Sequence, residues 1–314
     1  MALVADQPGP LAEAGTFSRH VAGAEANVAV GLARLGRRVV YVGRVGSDGF
    51  GTAIRRRLQG EGVDVTWLLT DPSGPTGVML REQRAIGPAQ VAYYRSGSAG
   101  SRLEAADVDA AIGGGAFTGA RWLHLTGITP ALSAGAAAAA SRALEHARDA
   151  GLRISLDLNL RRRLWPDAVA APVLRALAAR VDVVLGSADE CAAVTGVSGD
   201  PGGLAEALLA LGPTVAVLKL GAEGALGLER GGPPVRRPAV PVPLVVDPVG
   251  AGDAFCAGFI AAVLDGARLP LALETANACG ALAVASRGDM TGLPTQDELA
   301  RVLDAGEQPD DTVR

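Results

Sequence analysis

Apolar positions along the chain follow two rhythms. Five short runs are almost continuously apolar: "RRVVYVGRVG" (37–46), "RWLHLTGI" (121–128), "LRISLDLN" (152–159), "VDVVLGS" (181–187) and "TVAVLKLG" (214–221). Such runs predict strands covered on both faces, as in parallel sheets. Between them, Ala- and Leu-rich stretches recur at helical spacing over 26–36, 50–60, 133–150, 168–179, 188–194 and 202–211. Strand and helix in alternation predict an α/β fold, a mostly parallel sheet with helices on both faces. Ligands of such sheets bind beyond the carboxyl ends of the strands. The chemistry is therefore expected in the loops after "SLDLN", "VVLGS", "VLKLG" and "PLVVD".

Two regions depart from this rhythm. "TGVMLREQ" (76–83) and "AQVAYYRSG" (89–97) have strand character and are joined by "RAIGP", which predicts a hairpin outside the main sheet. "FSRHVAGAEAN" (17–27) offers a third such strand. A small sheet built from insertions would make a lid. The C-terminal "EQPDDTVR" is expected to fray.

Composition narrows the function classes. The chain has 314 residues, is 49% hydrophobic and carries a net charge of −4, with basic and acidic residues interspersed. Nothing in it suggests a nucleic-acid-binding face, and no nucleic-acid partner is expected. The start "MALVADQPGP" lacks a basic segment followed by an apolar core, and no apolar run approaches the length of a membrane span. Cys191, Cys256 and Cys279 are scattered, without a CxxC, which fits a reduced cytoplasm. His20, His124 and His146 lack metal-ligand spacing and read as structural. There is no GxSxG, no GxxxxGK[ST] and no complete GxGxxG. Of the 29 basic residues only Lys219 is a lysine. It is either a product of compositional bias or a position that rejects arginine, whose shape and hydration differ.

One stretch concentrates small and acidic residues: "DPVGAGDAFCAGF" (247–259). Gly250, Ala251 and Gly252 precede a helical pattern. A helix N-terminus offers unpaired N–H groups and partial positive charge, which suit an anion, and small residues let it approach. Asp253 then falls in the first turn. It is either an ordinary acid favoured by the helix dipole or a proton acceptor placed beside a transferring phosphoryl group.

"DPVGAGDAFCAGF" resembles the C-terminal signature of the ribokinase-like (PfkB) carbohydrate kinases. "AGAEANVAVGLARLGRRVVYVGRVGSDGFG" (22–51) resembles their N-terminal signature, including Gly23, Asn27 and the Gly46-x-Asp48-x-x-Gly51 turn. The likeness runs over nearly the whole chain. Within the family it is strongest to 2-keto-3-deoxygluconate (KDG) kinases, through "YYRSGSAGS" (93–101), "LHLTGITPALS" (123–133), "SLDLNLRRRLW" (155–165) and "VASRGD" (284–289). The resemblance implies a single three-layer α/β/α kinase domain over 1–314, with lid strands from about 16–24 and 75–98. It implies an ATP- and Mg²⁺-dependent kinase acting on the terminal hydroxyl of KDG. Fructokinase or ribokinase activity is the nearest alternative, and an idle sugar-binding protein on the same fold is another. It also implies a homo-oligomer formed through the lid sheet.

The roles implied by the resemblance are specific. Asp253 would be the base on the sugar hydroxyl, with the N–H groups of Gly250, Ala251 and Gly252 forming the anion hole. Gly23, Asn27, Tyr93, Arg95 and Arg161 would contact the sugar acid, the arginines meeting its carboxylate. Ser187 and Glu190 align with the family's NxxE, whose glutamate helps organise Mg²⁺ through water. Lys219, Gly221 and Gly224 would form the nucleotide loop, and Asn277 would line the adenine pocket. Asp247 and the segment 283–288 match the place where some relatives hold a monovalent cation, K⁺ being the candidate. Two departures stand out. Met79 takes a lid position where a close relative would place a tyrosine. The family also opens with a strand ending in Gly-Glu or Gly-Asp, central in its sheet, and Met1-Ala2-Leu3-Val4 resembles the residues just after it. A start assigned too late is the simplest expectation.

Overall fold

The computed structural model describes residues 1–84 and 90–307; the "RAIGP" connection after Arg84 and "EQPDDTVR" after Glu307 lie outside the described residues. The chain runs β1 (Ala2–Pro8), β2 (Phe17–His20), α1 (Ala24–Arg34), β3 (Gly43–Gly46), α2 (Gly49–Gly60) and β4 (Leu68–Asp71). It continues with β5 (Val78–Gln83), β6 (Val91–Tyr94), α3 (Ala105–Gly113), β7 (Trp122–Thr126), α4 (Ile128–Leu132), α5 (Ala134–Asp149) and β8 (Arg153–Asp157). Then come α6 (Asp167–Ala178), β9 (Val183–Ser187), α7 (Ala188–Thr195), α8 (Pro201–Leu211), β10 (Val215–Lys219), β11 (Ala225–Glu229) and β12 (Val235–Arg237). Three helices close it: α9 (Ala251–Leu264), α10 (Leu269–Val284) and α11 (Gln296–Glu307).

The large sheet has the order β12-β11-β10-β9-β8-β7, with β7 to β10 parallel and β11 and β12 antiparallel. Strict alternation along its strands builds three layers. Val183, Leu185, Val215 and Val217 face one core with Phe259 and Ile260 of α9. Val184, Ala216 and Leu218 face the other with Leu144, Leu174 and Leu208. Helix α9 is buried from Asp253 to Ala262, which explains why its sequence is apolar all round. Its first turn lies at the carboxyl edge of the sheet, where the site forms.

The smaller sheets differ from expectation in detail. The lid has four strands in the order β2-β1-β5-β6, so residues 2–8 add a strand that periodicity did not flag. The stretch 17–27 divides into β2 and the start of α1. Of 37–46 only Gly43–Gly46 is a strand, and Val40 contributes an isolated bridge to Asp64. Strands β3 and β4 form a separate parallel pair, and among the described residues no ladder joins it to the large sheet. "PLVVD" forms no strand: Leu244, Val245 and Val246 are exposed.

Candidate active site

The site begins at Gly250, the residue before α9. Its φ is 82°, and a Cβ there would lie 2.5 Å from the Asp289 carbonyl oxygen. Both facts require glycine. No side chain caps α9. The Ala251 N–H reaches the Pro248 carbonyl at 3.4 Å, while among the described residues the N–H groups of Gly252 and Asp253 have no partner, so these two donors suit an anion such as a phosphoryl group.

Asp253 sits in that turn and is buried. Asn27 donates from Nδ2 to its Oδ2 at 2.7 Å, and Asn159 Nδ2 stands 3.5 Å from its Oδ1. Burial is the main cause that pushes its carboxyl up to about 7. The Asn27 hydrogen bond opposes the rise, the charge of Asp157 adds to it, and Lys219 and Arg161 oppose it. A carboxylate poised near neutrality is suited to take a proton from a hydroxyl. Gly23 precedes α1, and its carbonyl accepts from the Asn27 N–H at 2.7 Å, setting the turn that carries Asn27.

Lys219 ends β10. Its Nζ donates to Asp157 Oδ1 at 2.6 Å, in a pair almost wholly buried. A Cβ built on Gly252 would lie 3.5 Å from that Nζ, so the ammonium lies under the first turn of α9. Burial alone would lower the lysine's pKa; the charge of Asp157 reverses this and holds it above the ordinary range. A compact ammonium fits between carboxylate and helix, where a planar guanidinium needs more room. Asp157 also meets Asn159 Nδ2 and Cys256 Sγ, each at 3.5 Å. Asn159 is the only non-glycine among the described residues with positive φ, 34°. Such backbone strain gathers at functional sites.

Ser187 and Glu190 form a capping box at the start of α7. Glu190 Oε2 accepts from the Ser187 N–H at 2.8 Å, and Oε1 accepts from the Leu160 N–H at 2.9 Å. The glutamate thus fixes the loop leaving β8, with one lone pair on each oxygen left for water. Among the described residues no group of three or more His, Cys, Asp or Glu could hold a metal ion. A magnesium ion here would be held chiefly by nucleotide phosphates. Gly221 and Gly224 bound the turn after β10. Gly224 has φ 89°, and a Cβ there would strike the Arg237 carbonyl oxygen at 2.1 Å. Asn277 Nδ2 donates to the carbonyls of Arg237 and Pro238 at 3.2 and 2.9 Å. The Asn277 amide thus pins the segment against which Gly224 packs.

At the lid, Arg95 stacks on Tyr93, 4.2 Å from the ring centroid. Its Nε and Nη2 are buried without a hydrogen-bond partner. Burial lowers its pKa, the charge of Tyr93 raises it and that of Arg161 lowers it again. Of the three successive arginines, Arg162 pairs with Asp167 and Arg163 reaches the Val91 carbonyl of β6. Among the described residues the Arg161 side chain has neither kind of bond. Two guanidinium groups feel each other's charge here, and Nε and Nη2 of the half-buried Arg95 lack a partner among the described residues, which is chemistry suited to an anion. Met79 pairs with Tyr93 across β5 and β6 and so shares its face of the lid.

Asp247 is not free. Arg81 of β5 forks onto it, Nη1 to Oδ1 at 2.8 Å and Nη2 to Oδ2 at 2.5 Å. Periodicity and motif likeness did not single out Arg81, Asp157, Asn159 or Glu25. Asp157 and Asn159 close "SLDLN", a strand end already marked for chemistry. Glu25, two residues before Asn27, accepts from Thr126 Oγ1 at 2.7 Å and Thr129 Oγ1 at 2.5 Å. Arg81 carried no local signal, because its partner is 166 positions away. His124 lies buried against Ser155, its pKa lowered to about 4 by burial, and His146 pairs with Asp109.

The family model described as "pfkB family carbohydrate kinase" matches residues 1–296. The 2-dehydro-3-deoxygluconokinase of Bacillus subtilis (strain 168) is 41% identical over 303 residues, 96% of this chain and 92% of that protein. The protein of the same description from Thermoproteus tenax is 40% identical, over 95% of this chain and 90% of that protein. Among solved structures, a double mutant of fructokinase from Vibrio cholerae O395, bound to fructose, ADP and potassium, superposes with a TM-score of 0.83. It is 30% identical, with 96% of this chain and 94% of that chain covered.

Proposed function

The chain belongs to the pfkB family of carbohydrate kinases, and from that premise we propose that it is the ATP-dependent kinase of 2-keto-3-deoxygluconate. The acceptor would be the sugar acid's terminal hydroxyl, giving 2-keto-3-deoxy-6-phosphogluconate. The observation that carries the choice of acceptor is the half-buried Arg95 beside Arg161, with its Nε and Nη2 buried and without a hydrogen-bond partner among the described residues. A neutral sugar leaves that charge uncompensated; a carboxylate satisfies it with charge-assisted hydrogen bonds. The curated relatives named above act on the same acid by their descriptions, which supports the reading.

The residues divide the work. Asp253, tuned by burial, takes the hydroxyl proton, and Asn27 holds its carboxylate toward the acceptor. The open N–H groups at the start of α9 receive the transferring phosphoryl group, with the Lys219–Asp157 pair beneath them. ATP brings Mg²⁺, which neutralises phosphate charge. Glu190 holds the floor of the site and offers outer contact through water. Tyr93, Arg95 and Arg161 select the acid, and the lid over them excludes water that would compete for the phosphoryl group. The described residues contain no helix long and apolar enough to cross a membrane.

A coupled ADP-release assay over sugars and sugar acids tests the proposal. KDG should give the highest kcat/KM, with phosphate on its terminal oxygen. A higher value for fructose or ribose would replace this reading with the neutral-sugar one.

A further inference from the structure

The strut between Arg81 and Asp247 joins the lid to the loop that makes the anion hole. Both side chains are buried. Arg81 projects from β5, opposite Val91 of β6 and two residues from Met79, so it shares the face that carries Tyr93. Asp247 stands three residues before Gly250. Its Oδ1 accepts from Arg81 Nη1 and from the Val249 N–H at 3.2 Å. Its Oδ2 accepts from Arg81 Nη2 and from the Gly288 N–H at 3.2 Å. Two carboxylate oxygens offer about four lone-pair sites, and four donors occupy them.

The neighbouring loop closes the arrangement. The N–H groups of Val246 and Asp247 both donate to the Val284 carbonyl. The Asp289 carbonyl lies against Gly250, as the 2.5 Å approach of a Cβ built there shows. The segment 284–289 thus backs the anion hole, and Asp247 ties the two loops together. A metal ion on the Asp247 carboxylate would have to displace the guanidinium or share its oxygens at close range. Like charges that near one another in a buried place repel strongly. The side chain expected to ligate a monovalent ion does not fit one.

We propose that Arg81 supplies, from the lid, the positive charge that a monovalent cation would otherwise bring to Asp247, so that turnover does not depend on potassium. Arg81 touches neither acceptor nor nucleotide in this arrangement. It is a positioning residue, acting through Asp247 on the backbone that leads to Gly250. Because the charge arrives on β5, seating of the lid and ordering of the anion hole become one event.

The test compares wild type and Arg81→Ala in tetramethylammonium chloride and in potassium chloride of equal ionic strength. Two readings are taken: kcat in the ADP-release assay, and melting temperature with ADP and Mg²⁺ but no sugar. Wild type should change less than about twofold in kcat and show no potassium-dependent rise in melting temperature. Arg81→Ala should lose at least about tenfold in kcat in tetramethylammonium and recover on addition of potassium or methylguanidinium. A wild-type enzyme stimulated more than about twofold, or stabilised, by potassium overturns the proposal. So does a folded Arg81→Ala enzyme that keeps its kcat without potassium, or one that is slow and responds to neither cation. If Arg81→Ala does not fold, the wild-type comparison decides alone. The kcat reading rests on the kinase assignment, but the melting reading needs no sugar, so failure of the acceptor assignment leaves it intact.

Discussion

Asn27 Nδ2 and Asp253 Oδ2, 226 positions apart in sequence, lie 2.7 Å apart at the mouth of α9. The contact joins the first helix of the chain to the ninth, and with it the two longest motifs of the sequence. It holds one carboxylate oxygen still while the other lies 3.5 Å from Asn159 Nδ2. Burial raises the proton affinity of that carboxyl, and the amide of Asn27 limits the rise.

Asp253→Asn keeps the shape of the side chain and removes the proton acceptor. General-base contributions run to about 10²- to 10⁴-fold. Steady-state kinetics of the variant should show kcat lower by at least that lower figure, with the KM for ATP little changed. More than about a tenth of the wild-type kcat surviving would remove Asp253 from the role of base.

The raised carboxyl of Asp253 has a pH signature in both rate and stability. For the rate, kcat/KM should fall as pH drops below about 7, because the base becomes protonated. For stability, the native state binds this proton more tightly than the unfolded state, whose carboxyl titrates near 3.8. The contribution is fully present below that lower value and is lost as pH rises toward 7. Asp253→Asn should therefore flatten this part of the decline in melting temperature across that window. An unchanged slope would mean that Asp253 ionises in the native state as it does in the unfolded one.

Lys219 and Asp157 test the ion pair under the anion hole. Lys219→Met leaves a buried carboxylate without its partner, which typically costs about 3–5 kcal/mol. Adding Asp157→Asn should return much of the melting temperature lost. It should not return kcat, since no ammonium then lies beside the phosphoryl group. Recovery of both would make the pair purely structural.

Much of this fold and site is legible in the sequence. The helices over 26–36, 50–60, 133–150 and 202–211 appear within two residues of those bounds, because amphipathic and Ala-rich periodicity survives any tertiary arrangement. Asp253 and Gly250 were marked by a local motif, and the helix dipole gave it meaning. The run 37–46 reads as one long strand, yet only Gly43–Gly46 form a ladder and Val40 adds an isolated bridge, since an apolar run does not reveal its ladder partner. "PLVVD" failed in the same way: Leu244, Val245 and Val246 are apolar but exposed. Asn277 was read from its position in a motif, and only the coordinates reveal that its amide is spent on Arg237 and Pro238. Arg81 in an arginine-rich chain is indistinguishable from its neighbours until its fork onto Asp247 is seen.

The central claim is that Arg95 and Arg161 receive a carboxylate, and one set of rates tests it most directly: kcat/KM for KDG and for fructose in wild type, Arg95→Ala and Arg161→Ala. Each variant removes a charge-assisted contact of about 1.5–3 kcal/mol, which is roughly 10- to 150-fold in affinity. The account predicts that wild type prefers KDG and that each variant loses that much on KDG but little on fructose. For Arg95→Ala, whose side chain belongs to the lid, kcat should fall as well as KM rise. A wild-type preference for fructose, or equal losses on both substrates, would contradict it.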